Sequence, residues 1–313
     1  MENNPNPNWE RQALEHLLLE NLKETRKARR WKAVLRVLTL LVIVSVLLSI
    51  FDFHLPGKGM GVEKHTALVT LEGEISSSSM ANAMDINSSL LSAFENEHSV
   101  GVVLRINSPG GFPVQAGMIN DEIHRLRKLY PSKPFYVVVE DICASGGYYV
   151  AVASDQILVD KASLVGSIGV IMEGFGFTGL MDKLGVTRRM ITSGSNKGML
   201  DPFSKENPKQ VEMVKTMIDE IHQQFIAVVK EGRGDRLKDM PDLFSGRIWN
   251  GEQAVKIGLA DGYGTVDTVA RDILKAPDIL DYTMKENFAE RVAKRFGAEA
   301  AAGKALVKTP NLK

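Results

Sequence analysis

Two glycine-rich turns hold the residues best suited to chemistry in this sequence. One is SPGG, ending at Gly111; the other is ASGG, in which Ser145 stands between Ala144 and Gly146. A hydroxyl nucleophile needs an exposed position, a base within hydrogen-bond reach, and donors aimed at the developing oxyanion. Ser145 follows the strand-like FYVVVED and opens a helix-like run, so the free N–H groups of a helix N-terminus converge there. Gly146 allows a carbonyl to approach its N–H without a Cβ in the way, and Gly110 and Gly111 offer the same access from the other turn. One donor from each turn would make a two-point oxyanion hole. Serine is also a favoured N-cap, and spacing alone leaves both readings of Ser145 open.

The proton of such a serine needs an acceptor. The six histidines are His16, His54, His65, His98, His124 and His222. His16 lies before an apolar run, His54 and His65 flank a linker, and His98 is in a polar loop. His124 sits among charged residues, and His222 is in a helix well past the nucleophile. No Ser-His-Asp set can be assembled from them. Lys197, in TSGSNKGML, has small and apolar neighbours and no acid before Asp201. A lysine buried in such a loop could lose its proton and serve as the base, although most loop lysines are exposed and idle. Cys143, the single cysteine, lies two residues before Ser145 and reads as a packed small residue. It permits no intramolecular disulfide.

The elements that must position these residues alternate. ALVTLEGEI (67–75), VGVVLRIN (100–107), FYVVVED (135–141) and QILVD (156–160) read as strands. Helix-like stretches cover 80–97, 113–129 with an apolar face through Met118, Ile119, Ile123 and Leu126, and the residues up to Ala153. This order implies right-handed βαβ crossovers and a largely parallel sheet. In such sheets ligands gather at strand C-termini, where SPGG and ASGG both fall.

The chain has 313 residues and 44% apolar content, enough for one sizeable core. Lys plus Arg equals Asp plus Glu at 38 each, so bulk charge points to neither nucleic acid nor another polyanion. Locally the balance fails: Lys23, Arg26, Lys27, Arg29, Arg30, Lys32 and Arg36 crowd together against Glu24, and the uncharged VLTLLVIVSVLLSIF (37–51) follows. Extended back through Ala33, the run reads as a membrane anchor over 33–53, with Arg36 at the interface. The positive-inside rule keeps residues 1–32, a basic amphipathic helix, in the cytoplasm and puts the rest outside. A linker (54–64), a catalytic domain (65–280) and a C-terminal helix with a flexible tail (281–313) complete the expected organisation.

RINSPGG (105–111), ASGGYYVA (144–151), GSIGVI (166–171) and SGSNKG (193–198) together resemble the signal peptide peptidase A family of serine proteases, within the Clp protease and crotonase superfamily. WNGEQAVKIGLADGYG (249–264) looks like the family's closing segment. The resemblance implies an α/β fold of ββα repeats behind one N-terminal transmembrane helix. It assigns Ser145 as nucleophile, Lys197 as general base, Gly111 and Gly146 as oxyanion donors, and Ser167 as the hydroxyl that orients the lysine. It implies no cofactor and no metal. Cleaved signal peptides would be the substrates, at the cytoplasmic membrane with the catalytic domain outside. A dome-like ring, an octamer, would share each dyad between neighbouring protomers. Two other readings share this fold: a catalytically idle membrane scaffold, which intact Ser145 and Lys197 oppose, and a crotonase-type acyl-CoA enzyme, which the anchor opposes.

Overall fold

A computed structural model of the protein describes residues 16, 26, 27, 29–45 and 63–284. Residues 29–45 form a helix, α1, which belongs to a unit separate from the compact body Gly61–Lys285. Among the described residues no helix is long and apolar enough to cross a membrane. The second half of the expected anchor (46–53), most of the basic amphipathic helix, residues 54–62 of the linker and the tail from 285 lie outside the described residues.

The body is a mixed α/β fold on one mostly parallel sheet. Its elements begin β1 (His65–Glu72), α2 (Ala83–Glu95), β2 (Ser99–Ser108), α3 (Pro113–Leu129), β3 (Phe135–Ala144) and α4 (Gly146–Ala151). Next come β4 (Gln156–Val159), β5 (Leu164–Gly166), α5 (Thr178–Leu184) and α6 (Pro208–Arg233). The chain closes through β6 (Ile248–Asn250), α7 (Gly251–Ile257), β7 (Gly262–Tyr263), α8 (Val266–Thr268) and β8 (Ile279–Asp281). The strand order is β6-β5-β3-β2-β1-β8, with β4 branching from β3 and β7 from β4. Only β5 and β6 pair antiparallel among these strands.

β2 shows why the sheet is central. Val102, Leu104 and Ile106 face the larger core, Val103 faces the smaller one, and all four are buried. A strand covered on both faces must be apolar on both, which is the mark of a parallel sheet. α3 covers the larger core with Ala116, Ile119, Ile123 and Leu126, a helical stripe in which each large side chain contributes about 1.5–3 kcal/mol. Met118 does not join it and is half exposed. It stands about 200° round the helix from Asn120 and so off the buried face, whereas Asn120 is on that face, where its Nδ2 donates to the Tyr149 carbonyl of α4 at 2.7 Å.

β3 has two partners in succession. Tyr136–Val138 pair with β4, whereas Ile142–Ala144 pair with β5. An irregularity in its register with β2, between Ile106 and Ser108, bends the strand where the partners change. The end of β3 is thereby carried out of the lower sheet and turned towards β5.

The closing segment is tied down by a buried charge. Arg233, at the end of α6, is almost fully enclosed and donates twice to Asp261, at 2.8 and 2.9 Å, and once to the Gly258 carbonyl. Asp261 also accepts the Ile157 N–H at 2.7 Å and is approached by Arg236. Burial alone would raise the Asp261 carboxyl; the Arg233 hydrogen bond, the Ile157 N–H and the two guanidinium charges outweigh it and hold the carboxyl below the usual range. Arg233→Ala should cost about 3–5 kcal/mol in urea unfolding, because it strands a buried carboxylate. The same depressed carboxyl contributes stability that is complete above about pH 4 and is lost as pH falls further, through the folded value. A wild-type denaturation series from pH 6 down to pH 2 should show that acid limb.

Candidate active site

Ser145 terminates the bent half of β3 and opens α4. Its backbone has φ 50° and ψ −124°, a left-handed φ that a non-glycine residue adopts at a cost of about 1–2 kcal/mol. Two backbone bonds hold it there: its N–H donates to the Gly166 carbonyl at 2.8 Å, and its carbonyl accepts from Tyr149 N–H at 3.0 Å. Its side chain makes no cap bond to α4, so the hydroxyl is left for other work. The residue is partly exposed.

SPGG lies directly against this turn. Gly110 and Gly111 have φ 101° and 151°, in the region that favours glycine. A Cβ on Gly110 would sit 2.7 Å from both Gly146 N and Ser145 Cβ, and one on Gly111 would collide with the Ile75 carbonyl. A Cβ on Gly146 would lie 3.3 Å from Gly111 N, so the two turns touch through their backbones. Ile75 N–H donates to the Gly110 carbonyl and Phe112 N–H to the Ile75 carbonyl, both at 2.8 Å, which bypasses the Gly111 N–H. Ser108 Oγ, donating to the Gly73 carbonyl at 2.6 Å and accepting the Gly110 N–H at 3.1 Å, fixes the start of the turn. Gly146 N–H, at the first position of α4, has no carbonyl one helical turn behind it.

Ser167 comes next in register. β3 and β5 pair Ala144 with Gly166, so Ser145 and Ser167 leave adjacent strands side by side. Ser167 also has a positive φ, 52°, and its N–H donates to the Arg247 carbonyl at 2.9 Å. Four of the five expected site residues, Ser145, Gly111, Gly146 and Ser167, thus stand at neighbouring turns.

Lys197 does not join them within one chain. It lies exposed on the turn 194–199, where its N–H donates to the Gly194 carbonyl at 3.2 Å, and its amine makes no hydrogen bond to Ser145 or Ser167. The burial that would lower its proton affinity is therefore absent from the single chain. The physical reason is local: from 170 to 207 the chain forms no strand, and α5 buries none of its residues. This segment packs mainly on itself, with the Phe177 and Phe203 rings stacked at 5.5 Å and Arg188 paired to Asp201 at 3.5 Å. Ile171, Phe175 and Ile191 are left between 82% and 100% exposed.

Cys143 is fully buried beneath the turn, and burial pushes its thiol far above its ordinary value. It stays protonated and packed. Among the described residues no cluster of His, Cys, Asp or Glu is arranged to hold a metal ion. His222, set aside from sequence position alone, has its imidazole Nε2 3.1 Å from the Ile168 carbonyl, next to Ser167. Its distance along the chain concealed that proximity, and no local motif could have signalled it.

Residues 127–279, which include Ser145, Gly146, Ser167 and Lys197, match the model for peptidase family S49. The chain resembles that family over just under half of its length. The signal peptide peptidase A resemblance is borne out by this match and by the relatives. A protein named putative signal peptide peptidase SppA from Enterococcus faecium is 32% identical over 69% of this chain and 62% of its own length. A putative protease of Methanocaldococcus jannaschii is 35% identical over 63% of this chain and 65% of its own. A protein named Na(+)/H(+) antiporter NhaA from Brucella abortus (strain 2308) is 43% identical over 71% of this chain. This chain spans only 32% of that antiporter's length. The transport name is that protein's own.

The contact between the turns makes a direct test of this site. Gly110→Ala forces a methyl between Gly146 N and Ser145 Cβ at a left-handed φ. It should cost about 2–4 kcal/mol of stability by overpacking and strain. A lowered urea midpoint, together with loss of Ser145 labelling by a fluorophosphonate, is the expected result.

Proposed function

We propose that this protein is a membrane-anchored serine protease that degrades cleaved signal peptides and other apolar peptides, with Ser145 as nucleophile and Lys197 as general base. The observation that carries the reading is Ser145 itself, held at φ 50° between two touching glycine turns with its hydroxyl free of capping. The protease names of the Enterococcus and Methanocaldococcus relatives support it.

In this reading the neutral Lys197 amine takes the Ser145 proton as Oγ bonds to the scissile carbonyl carbon. The carbonyl π pair moves onto oxygen, and the N–H groups of Gly111 and Gly146 stabilise that oxyanion. Collapse breaks the C–N bond, and the Lys197 ammonium returns its proton to the leaving nitrogen. Water, deprotonated by the same amine, then attacks the acyl-enzyme and releases the new carboxyl terminus with Ser145 restored. Ser167 orients the amine throughout.

The base is supplied by a neighbouring protomer. Lys197 is exposed in one chain, and the segment carrying it leaves Phe175, Leu180, Leu184 and Ile191 exposed as well. Large apolar side chains exposed in such number over one segment suit a protein contact. Burying them against the next copy in a ring, an octamer, would remove Lys197 from water and bring it to the next Ser145. Residues 33–53 anchor the ring in the cytoplasmic membrane, with the basic residues 1–32 inside the cell and the catalytic body outside.

Mixing experiments test both the chemistry and the sharing. Ser145→Ala and Lys197→Ala should each lower peptide hydrolysis by about three orders of magnitude or more. Co-refolded in equal amounts, they should recover up to about a quarter of wild-type activity, because a random head-to-tail ring pairs an intact serine with an intact lysine at that fraction of sites. An inactive mixture with proven subunit exchange would place the dyad within one chain. An active Lys197→Ala protein would exclude that base.

A further inference from the structure

Ser167 is useful to the reaction only if its turn is held in one conformation, and that conformation is costly. The residue is a non-glycine at φ 52°, inside the left-handed region. Three backbone bonds pin the turn: Ser145 N–H to the Gly166 carbonyl at 2.8 Å, Ser167 N–H to the Arg247 carbonyl at 2.9 Å, and Gly169 N–H to the Ser167 carbonyl at 2.9 Å. The peptide unit joining Ile168 to Gly169 therefore has its N–H engaged on one side. Its other side, the Ile168 carbonyl, faces the His222 imidazole, with Nε2 at 3.1 Å. A carbonyl oxygen can only accept, so Nε2 carries the proton. Among the described residues this is the one side chain that hydrogen-bonds the backbone of residues 166–169.

His222 is itself firmly placed. It lies near the middle of α6, a 26-residue helix. One turn further along, Phe225 is buried against the Tyr149 ring of α4, with centroids 5.2 Å apart. α6 thus touches both the helix that Ser145 opens and the turn that carries Ser167. Flipping the Ile168–Gly169 peptide would break two bonds at once, the one from His222 and the one to the Ser167 carbonyl.

We infer that His222 is a positioning residue of the active site: its Nε2–H clamps the Ile168–Gly169 peptide and so fixes the strained turn that presents Ser167 beside Ser145. It is not the base; it hydrogen-bonds neither serine and acts through the backbone. The inference rests on the serine-protease reading above and adds a residue that its chemistry does not otherwise require.

The test uses the full chain in detergent, with peptide hydrolysis split into kcat and KM. His222→Phe keeps an aromatic ring and removes the donor; kcat should fall about tenfold, the worth of one such hydrogen bond, with KM unchanged. His222→Gln puts an amide N–H close to where Nε2–H stood and should restore most of the loss. His222→Asn, whose amide falls short, should resemble His222→Phe and replaces it as the donor-free variant if the phenylalanine protein does not fold. Wild-type kcat in the donor-free variant overturns the inference, as does a loss borne by KM, or a glutamine variant no better than the donor-free one. Ser145→Ala runs alongside: if it remains active, the nucleophile assignment fails and this inference with it. An inactive Ser145→Ala with an unimpaired His222 variant overturns this inference alone.

Discussion

The site depends on one hydrogen bond, from Ser145 N–H to the Gly166 carbonyl. It joins the end of β3 to the end of β5 and holds a serine in a backbone conformation that an isolated chain would leave. Without it, the cost of the left-handed φ would be relieved by rotation of the turn, and the hydroxyl would fall back into the ordinary N-cap position of α4. The bond exists because β3 changes partner. Its lower half belongs to β4, and only after the bend near Ser108 can its upper half meet β5.

Several buried features maintain that geometry from a distance. Asn120 grips the Tyr149 carbonyl, the Tyr148 hydroxyl donates to the Leu259 carbonyl, and Arg233 ties Gly258 and Asp261 to the end of α6. These groups are polar and enclosed, so each has to be satisfied within the protein. Their partners lie on α4 or on the closing segment. The strained turn is thus braced by interactions that are themselves expensive to break, and rigidity at Ser145 follows from burial rather than from the turn's own sequence.

The SPGG turn adds a second constraint, that of space. Backbone meets backbone between Gly110 and Gly146, and again between Gly111 and Ile75, with no room for a methyl group. This closeness puts two N–H groups from separate crossovers on one small volume. The outlying segment 170–207 obeys the opposite logic: it exposes apolar side chains and the lysine together.

Much of this was legible in the residues. The alternation of strands and helices gave the parallel sheet because periodicity is a local property, and the four short motifs carried the resemblance to the signal peptide peptidase A family. Glycines at 110, 111 and 146 announced a close approach because nothing else allows one. What the sequence could not supply was long-range. Met118 was read into the apolar stripe of α3, yet the buried face runs through the polar Asn120, whose partner on α4 is far along the chain. His222 looked remote until α6 crossed beside the Ser167 turn. The neighbours of Lys197 in the chain would have allowed burial, but burial is decided by what packs from elsewhere, and in one chain the lysine is exposed. Local chemistry and local periodicity were written in the sequence; which distant groups meet was decided only when the sheet closed and β3 parted between two neighbours.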